Sequence, residues 1–185
     1  MDEVSTTENL CAEAGRNRGL WIGMFPEASA DLERAWENLI SQNSDSLAEH
    51  KSLRELHVTI FHLGKTHTTI SVERTVAAVQ MAASTVIGPQ LIGVEGYLRL
   101  PRHAALAVVP DEIVRIRGVV SSCLRDRGVR PDDRFAGLPH ITIGATHFDF
   151  DDVVCPGVKS FVGTFRGLTI VCGEASMTVP FKAVF

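Results

Sequence analysis

The stretches His57-Val58-Thr59-Ile60 and His140-Ile141-Thr142-Ile143 share one pattern, in which a histidine and a threonine alternate with two β-branched residues. Side chains of a strand alternate between its two faces, so each histidine shares a face with its threonine. The β-branched residues favour the core, which directs both His-Thr pairs to the opposite surface. The two stretches therefore predict two equivalent strands, each with a polar face.

The segments that precede these stretches also correspond to each other. A short apolar run ends at Pro26 and another ends at Pro110, and each proline is followed by apolar residues at helical spacing. The distance along the chain from Pro26 to His57 is 31 residues, and from Pro110 to His140 it is 30 residues. A strand, a helix and a strand repeated at one spacing predict two equivalent lobes. If the lobes pack about a pseudo-twofold axis, both His-Thr pairs face one cleft.

The patterns along the rest of the chain predict a mixed α and β fold. Strands are predicted at 20–25, 56–63, 94–100, 104–109, 138–143, 161–172 and 177–185, and helices at 31–40, 71–84 and 113–124. Residues 1–18 show little apolar periodicity and are predicted to form a loose tail. Residues 19–185 are predicted to form a single domain.

Length and charge limit the possible partners. The 185 residues suffice for about one domain, and 18 basic against 22 acidic residues give a net charge of −4. No global positive field is present to hold a long nucleic acid. The four cysteines form no C-x-x-C pair, and no apolar run is long enough for a membrane span. We expect a monomeric cytoplasmic protein without a metal or other cofactor.

Two imidazoles and two hydroxyls facing one cleft suit acid-base chemistry. Imidazole has an unperturbed pKa of about 6.5, so one ring can accept a proton while the other donates one. Cleavage of a phosphodiester needs both steps, and threonine hydroxyls can donate hydrogen bonds to the non-bridging oxygens. The sequence leaves open which histidine is the base and which is the acid.

Two H-h-T-h motifs, where h is apolar, lie 83 residues apart in repeated lobes, and in this the chain resembles the two-histidine (2H) phosphoesterases. The resemblance extends over residues 20–185. It implies a bilobal α+β fold with two antiparallel sheets facing a central cleft and helices outside. It also implies metal-independent phosphodiesterase activity on nucleotides, with His57, Thr59, His140 and Thr142 as catalytic residues.

Within that family, Leu63-Gly64 and Pro139 look like the bacterial RNA 2′,3′-cyclic phosphodiesterase branch. That branch has an aromatic residue five positions after the first histidine and an arginine five positions after the second. This chain has His62 and Ala145 there. With a net charge of −4, the expected substrate is a small cyclic nucleotide or a short oligonucleotide, including 2′-5′ linked ones.

Two alternatives stay open. Phage proteins similar to this family degrade cyclic oligonucleotide immune signals, which would place the protein in a host cytoplasm. A nucleotide-binding module on the same fold that does not cut its ligand is the second alternative. Two intact His-Thr pairs argue against the module, because a binder has no need of two proton-transfer groups.

Further residues are candidates for substrate binding. Tyr97 and Arg99 share a face of one predicted strand, where they could stack a base and pair a phosphate. Arg102 occupies the adjacent turn, and Lys65 follows the first motif.

Other polar and aromatic residues are assigned away from the site. Trp21 and Phe135 are assigned to core packing rather than to base stacking. His62 is five residues after His57, and residues an odd number apart in a strand face opposite sides. We therefore expect His62 to point away from His57.

Overall fold

The structure is a computed structural model that describes residues 7–45, 47–65, 69–100, 102–132, 137–146 and 159–183. In these ranges the helices are α1 (Thr7–Gly15), α2 (Ala30–Gln42), α3 (Thr69–Thr85) and α4 (Pro110–Asp126). The strands are β1 (Gly19–Met24), β2 (Leu47–His50), β3 (Val58–Lys65), β4 (Gln90–Leu100), β5 (His103–Val108), β6 (His140–Thr146), β7 (Phe161–Phe165), β8 (Gly167–Cys172) and β9 (Ala175–Pro180).

The nine described strands pair antiparallel in the order β7-β4-β5-β6-β3-β1-β8-β9, with β2 also paired to β6. The order divides into two equivalent halves, β3-β1-β8-β9 and β6-β5-β4-β7. In each half the His-Thr strand pairs with the strand that ends before a proline, β1 in one half and β5 in the other. The predicted α+β class with two pseudo-symmetric lobes is confirmed.

The two halves join at one residue pair, Val58 of β3 with Ile141 of β6. Met24 pairs with Val58 on one side, and Leu106 pairs with Ile141 on the other. All four side chains are fully buried, so an apolar row crosses the junction beneath the His-Thr surface. Ile60 and Ile143 are also buried, which confirms that the β-branched residues of both motifs face the core.

The helices cover the buried face of the sheet. Helix α4 places Ile113, Ile116, Val120 and Leu124 in the core at helical spacing. It packs against α3 and against β3. None of the described helices is long and apolar enough to span a membrane. Of the cysteines, Cys11, Cys123 and Cys172 are free thiols, and Cys155 lies outside the described residues.

The structure corrects part of the sequence prediction of a loose tail over residues 1–18, of which residues 1–6 lie outside the described residues. Residues Thr7–Gly15 form α1, which packs on α3 and β9. Leu10 and Ala14 are four residues apart, so they share one helix face, and both are fully buried. A stripe of two residues is too short to detect as periodicity, and only the surface formed by α3 and β9 makes it a core contact.

Replacing Leu10 with alanine tests this correction. Because the side chain is fully buried, we expect Leu10→Ala to lower the free energy of unfolding by about 2–5 kcal/mol in urea denaturation. Asn9→Ala, at an exposed neighbouring position of α1, is the matched control and should change it by less than about 0.5 kcal/mol. Equal effects of the two substitutions would contradict the docking of α1.

Candidate active site

Both motif histidines are oriented by the same local hydrogen bond. Nδ1 of His57 lies 2.7 Å from the carbonyl oxygen of Glu55, and Nδ1 of His140 lies 2.8 Å from that of Leu138. A carbonyl oxygen only accepts, so Nδ1 carries the proton in each ring and donates it. The other ring nitrogen, Nε2, is therefore the atom of each histidine that is available for proton transfer.

The junction of the two halves brings the pairs together. Because Val58 pairs with Ile141 in an antiparallel ladder, His57 lies opposite Thr142 and Thr59 lies opposite His140. In addition to burial, the charge of His140 lowers the pKa of His57, as expected for two rings in one site. The structure thus brings together all four residues that the motifs predicted.

The four side chains open into a cleft of about 760 Å³. Their neighbours on the adjacent strands are small: Gly23 pairs with Thr59, Ala107 with His140 and Ala105 with Thr142. The cleft is lined by Trp21, Glu49, His50, Lys51, Glu55, His57, Thr59, His62, His103, Arg117, Leu138, His140, Thr142, Gly144 and Ala145.

Each His-Thr strand carries a bulge after its threonine. In β3, Thr59 pairs with Gly23 while Phe61 pairs with Ile22, so the pairing skips Ile60. The extra residue reverses the alternation, and a residue that would have faced the core faces the cleft.

The bulge in β3 corrects the prediction that His62 points away from His57, because His62 lines the cleft. In β6 the pairing skips Ile143 in the same way, which brings Ala145 to the cleft. The fifth position after each motif histidine therefore faces the cleft in both lobes.

The environment of His57 keeps its ring neutral. The ring centroid of Trp21 lies 4.4 Å from that of His57, and the centroid of Phe25 lies 5.4 Å away. Burial of the ring and, to a smaller extent, the nearby charge of Lys51 lower the pKa of His57 to about 4, although the hydrogen bond to the Glu55 carbonyl opposes this. Near pH 7 the Nε2 atom of His57 therefore carries a lone pair that can accept a proton.

The structure corrects the assignment of Trp21 to core packing, because Trp21 lines the cleft. Its ring lies over Gly23, where a Cβ atom would be 2.6 Å from Cζ3 of the indole. The absence of a side chain at Gly23 lets the indole lie beside His57, with the two rings tilted by 35°, and form a wall of the cleft. Phe135 lies outside the described residues.

Two cationic residues that the sequence patterns did not indicate line the cleft. Lys51 follows β2, and burial lowers the pKa of its ammonium group while the charge of Glu55 opposes the shift. Arg117 of α4 donates from Nη2 to the carbonyl oxygen of Thr59 at 3.0 Å and from Nη1 to that of Gly137 at 2.9 Å. Arg117 thus occupies the gap where β3 and β6 part, and connects the first motif to the segment before the second.

Arg117 is half-buried, and its Nε has no hydrogen-bond partner among the described residues. Burial also lowers the pKa of its guanidinium group. Arg117 lies between the exposed residues Val114 and Gly118, so in the sequence it looks like part of an ordinary helix surface. Only the parting of the two strands shows that it belongs to the site.

The weaker binding candidates lie elsewhere. Tyr97 pairs with Leu106, whose side chain is in the core, and packs against that core rather than lining the cleft. Arg99 pairs with Ala104, but its side chain lies outside the described part of the structure. Lys65 is exposed at the far end of β3, roughly 25 Å along the strand from His57. Arg102 is exposed in the β4–β5 turn and is not among the residues that line the cleft.

Among the described residues, no group of three or more His, Cys, Asp or Glu side chains is arranged to hold a metal ion. The sequence matches no protein-family model and no curated protein.

Solved structures match the fold over most of the chain. TT0787 of Thermus thermophilus matches with a TM-score of 0.62 at 13% identity, covering 88% of this chain and 98% of that one. LigT of E. coli matches at 0.57 and 15% identity, covering 89% of this chain and 95% of that one. The MHV ns2 PDE domain matches at 0.56 and 21% identity, covering 84% of this chain and 98% of that one.

This chain has the 2H phosphoesterase fold. The resemblance inferred from the two motifs is therefore confirmed at the level of fold. LigT has also been crystallised with ATP and with 3′-AMP. At such low identity the likeness concerns the fold, and the chemistry of this chain rests on its own side chains.

Replacing Arg117 tests its role at the junction. Arg117→Met leaves the carbonyl groups of Thr59 and Gly137 without their donor, so we expect the free energy of unfolding in urea to fall by about 1.5–3 kcal/mol. The NMR signals of the His140 ring should shift as well. Arg34→Met, which removes an exposed ion pair with Asp31 within α2, is the control and should cost less than about 1 kcal/mol. Similar losses in the two variants would contradict a special role for Arg117.

Proposed function

We propose that this protein is a metal-independent phosphodiesterase that cleaves a small nucleotide, either a 2′,3′-cyclic phosphate or a short oligonucleotide. One observation carries the proposal. Two imidazoles, each anchored through Nδ1, lie on either side of the antiparallel pair Val58–Ile141, and each lies opposite the threonine of the other motif. Two proton-transfer groups on either side of a phosphate are what a concerted displacement at phosphorus requires.

His57 is the general base in this proposal. Its ring is neutral near pH 7 and its Nε2 is unprotonated, so it can take the proton of the attacking oxygen, a ribose 2′-hydroxyl or a water molecule. The attacking oxygen then forms the new bond to phosphorus. His140, protonated, donates from Nε2 to the leaving oxygen as its bond to phosphorus breaks. One proton is taken up and one is released, so the enzyme's net charge is unchanged by the step.

The threonines and cations hold the phosphate. The hydroxyl groups of Thr59 and Thr142 lie beside the two rings and can donate to the non-bridging oxygens, on which charge develops. The Lys51 ammonium group and the Arg117 guanidinium group line the same cleft and supply positive charge in a chain of net charge −4. Two cations beside the motifs, in a cleft that also holds the carboxylates of Glu49 and Glu55, suit one phosphate rather than a long polyanion.

The size of the cleft supports a small substrate. Its volume of about 760 Å³ falls within the range of about 300–1,000 Å³ for sites that take whole small molecules. The complexes of LigT with ATP and 3′-AMP concern that protein, but they are consistent with a small nucleotide ligand here. Cyclic oligonucleotide signals would be cut by the same chemistry, so they belong in the substrate panel.

Removing either histidine tests the function. We expect His57→Ala and His140→Ala each to reduce kcat by roughly 10²–10⁴-fold, because each provides one proton transfer. The assay follows cleavage of 2′,3′-cyclic nucleotides, 2′-5′ oligoadenylate and cyclic di- and trinucleotides, with and without EDTA, and circular dichroism confirms folding. EDTA should not change the rate. Ligands that bind the folded protein but return uncut would support the binding module instead.

The pH dependence of activity tests the role of His57. The base must be neutral, so kcat/KM should fall as pH drops through about 4, rather than through about 6.5 as for an unperturbed imidazole. Lys51→Met removes one cause of the low pKa and should move this acidic limb to higher pH. Lys182→Met, at an exposed position outside the cleft, should leave the limb in place. A wild-type limb near pH 6.5 would contradict His57 as the low-pKa base.

A further inference from the structure

One end of the cleft holds polar side chains that the proton transfers do not use. There Ala145 of β6 pairs with Glu49 of β2 on one side and with His103 of β5 on the other. Neighbouring strands lie about 4.8 Å apart, so Glu49 and His103 are separated by roughly 9.5 Å with only a methyl group between them. We call this gap, bordered by Glu49, His50, His103 and Ala145, the notch.

The notch is held rigidly by its surroundings. The backbone N–H of Lys51 donates to the carbonyl oxygen of Ile143 at 2.7 Å, and the carbonyl oxygen of Lys51 accepts from the indole N–H of Trp36 at 2.8 Å. The ring of His50 meets that of Trp36 edge-on at 5.9 Å. Strand β2 passes so close to β6 that a Cβ atom on Gly144 would collide with the Glu49 carbonyl oxygen. A ligand would therefore meet a preformed wall.

The charge of the notch selects against a phosphate. The Glu49 side chain is exposed and has no ion-pair or hydrogen-bond partner among the described residues. A carboxylate repels phosphate and accepts hydrogen bonds through two oxygens, so it favours a group with two adjacent N–H donors. Among the common bases guanine offers such a pair, at N1 and at the exocyclic N2, whereas the imidazoles can donate to its O6 or N7.

The notch also lies at the right place for a base attached to the reacting phosphate. Ala145 is three residues beyond Thr142, within about 10 Å along the strand. Thr142 lies opposite His57, so a ribose that joins a base in the notch to a phosphate between the motifs would pass the His57 side. The small Ala145 leaves the space that a longer side chain would fill.

We propose that the notch is a guanine-binding subsite in which Glu49 accepts hydrogen bonds from N1–H and N2–H of the base. This inference rests on the proposed phosphodiesterase function and adds to it a preference for guanine nucleotides. Glu49 thereby acts as a specificity-determining residue, outside the proton transfers at His57 and His140.

Binding of GMP and IMP tests the notch independently of turnover. IMP lacks the exocyclic amino group, so loss of its charge-assisted hydrogen bond should make GMP bind roughly tenfold more tightly than IMP in isothermal titration calorimetry. Glu49→Gln should reduce the ratio of the IMP and GMP dissociation constants from about 10 to between about 1 and 2. Ala145→Leu, which fills the notch, should remove it as well. Glu37→Gln, exposed on α2 outside the cleft, should retain the tenfold ratio.

The outcomes separate this inference from the proposed function. Equal affinity of the wild-type protein for GMP and IMP, or a ratio that Glu49→Gln does not change, would overturn the notch even if nucleotides are cleaved. A Glu49-dependent preference for GMP in a protein that cleaves none of the panel would support the notch and overturn the phosphodiesterase function.

Discussion

The antiparallel pair of Val58 with Ile141 is the contact on which the site depends. It is the sole ladder pair between β3 and β6 among the described residues, and it lies in a row of four fully buried side chains with Met24 and Leu106. Burial of this row on one face fixes the register of the two halves, because a slip of one residue would turn the apolar side chains outward. The same register sets each histidine opposite the other motif's threonine.

Bulges extend what this junction places in the cleft. A regular strand would send the third residue after each motif threonine to the core. The skipped residues Ile60 and Ile143 reverse this alternation, so His62 and Ala145 reach the cleft at its two ends. Beyond the junction β3 and β6 part, and Arg117 donates to the carbonyl groups of Thr59 and Gly137 in the gap. Arg117 therefore supplies hydrogen bonds to the backbone at the point where the two strands no longer pair with each other.

The two lobes are equivalent in backbone but not in environment. Both histidines donate from Nδ1 to the carbonyl oxygen two residues earlier. His57 alone is flanked by Trp21 and Phe25, and its burial beside Lys51 produces the low pKa. Two residues at equivalent positions of the two lobes thus have different surroundings, and burial perturbs the ring of His57. The notch adds a second asymmetry, since Ala145 occupies the position equivalent to His62.

The sequence by itself determined the elements that follow local rules: the repeated strand and helix patterns, the buried faces of both motifs, and the pairs His57 with Thr59 and His140 with Thr142. Periodicity and alternation act over a few residues and so can be read from the chain. The tertiary structure decided where other features lie. These are helix α1, the core position of Tyr97, and the cleft positions of Trp21, His62, Lys51 and Arg117. Each depends on which strand pairs with which, where a bulge reverses alternation, and how deeply a charged group is buried, and these are set by contacts between residues far apart in the sequence.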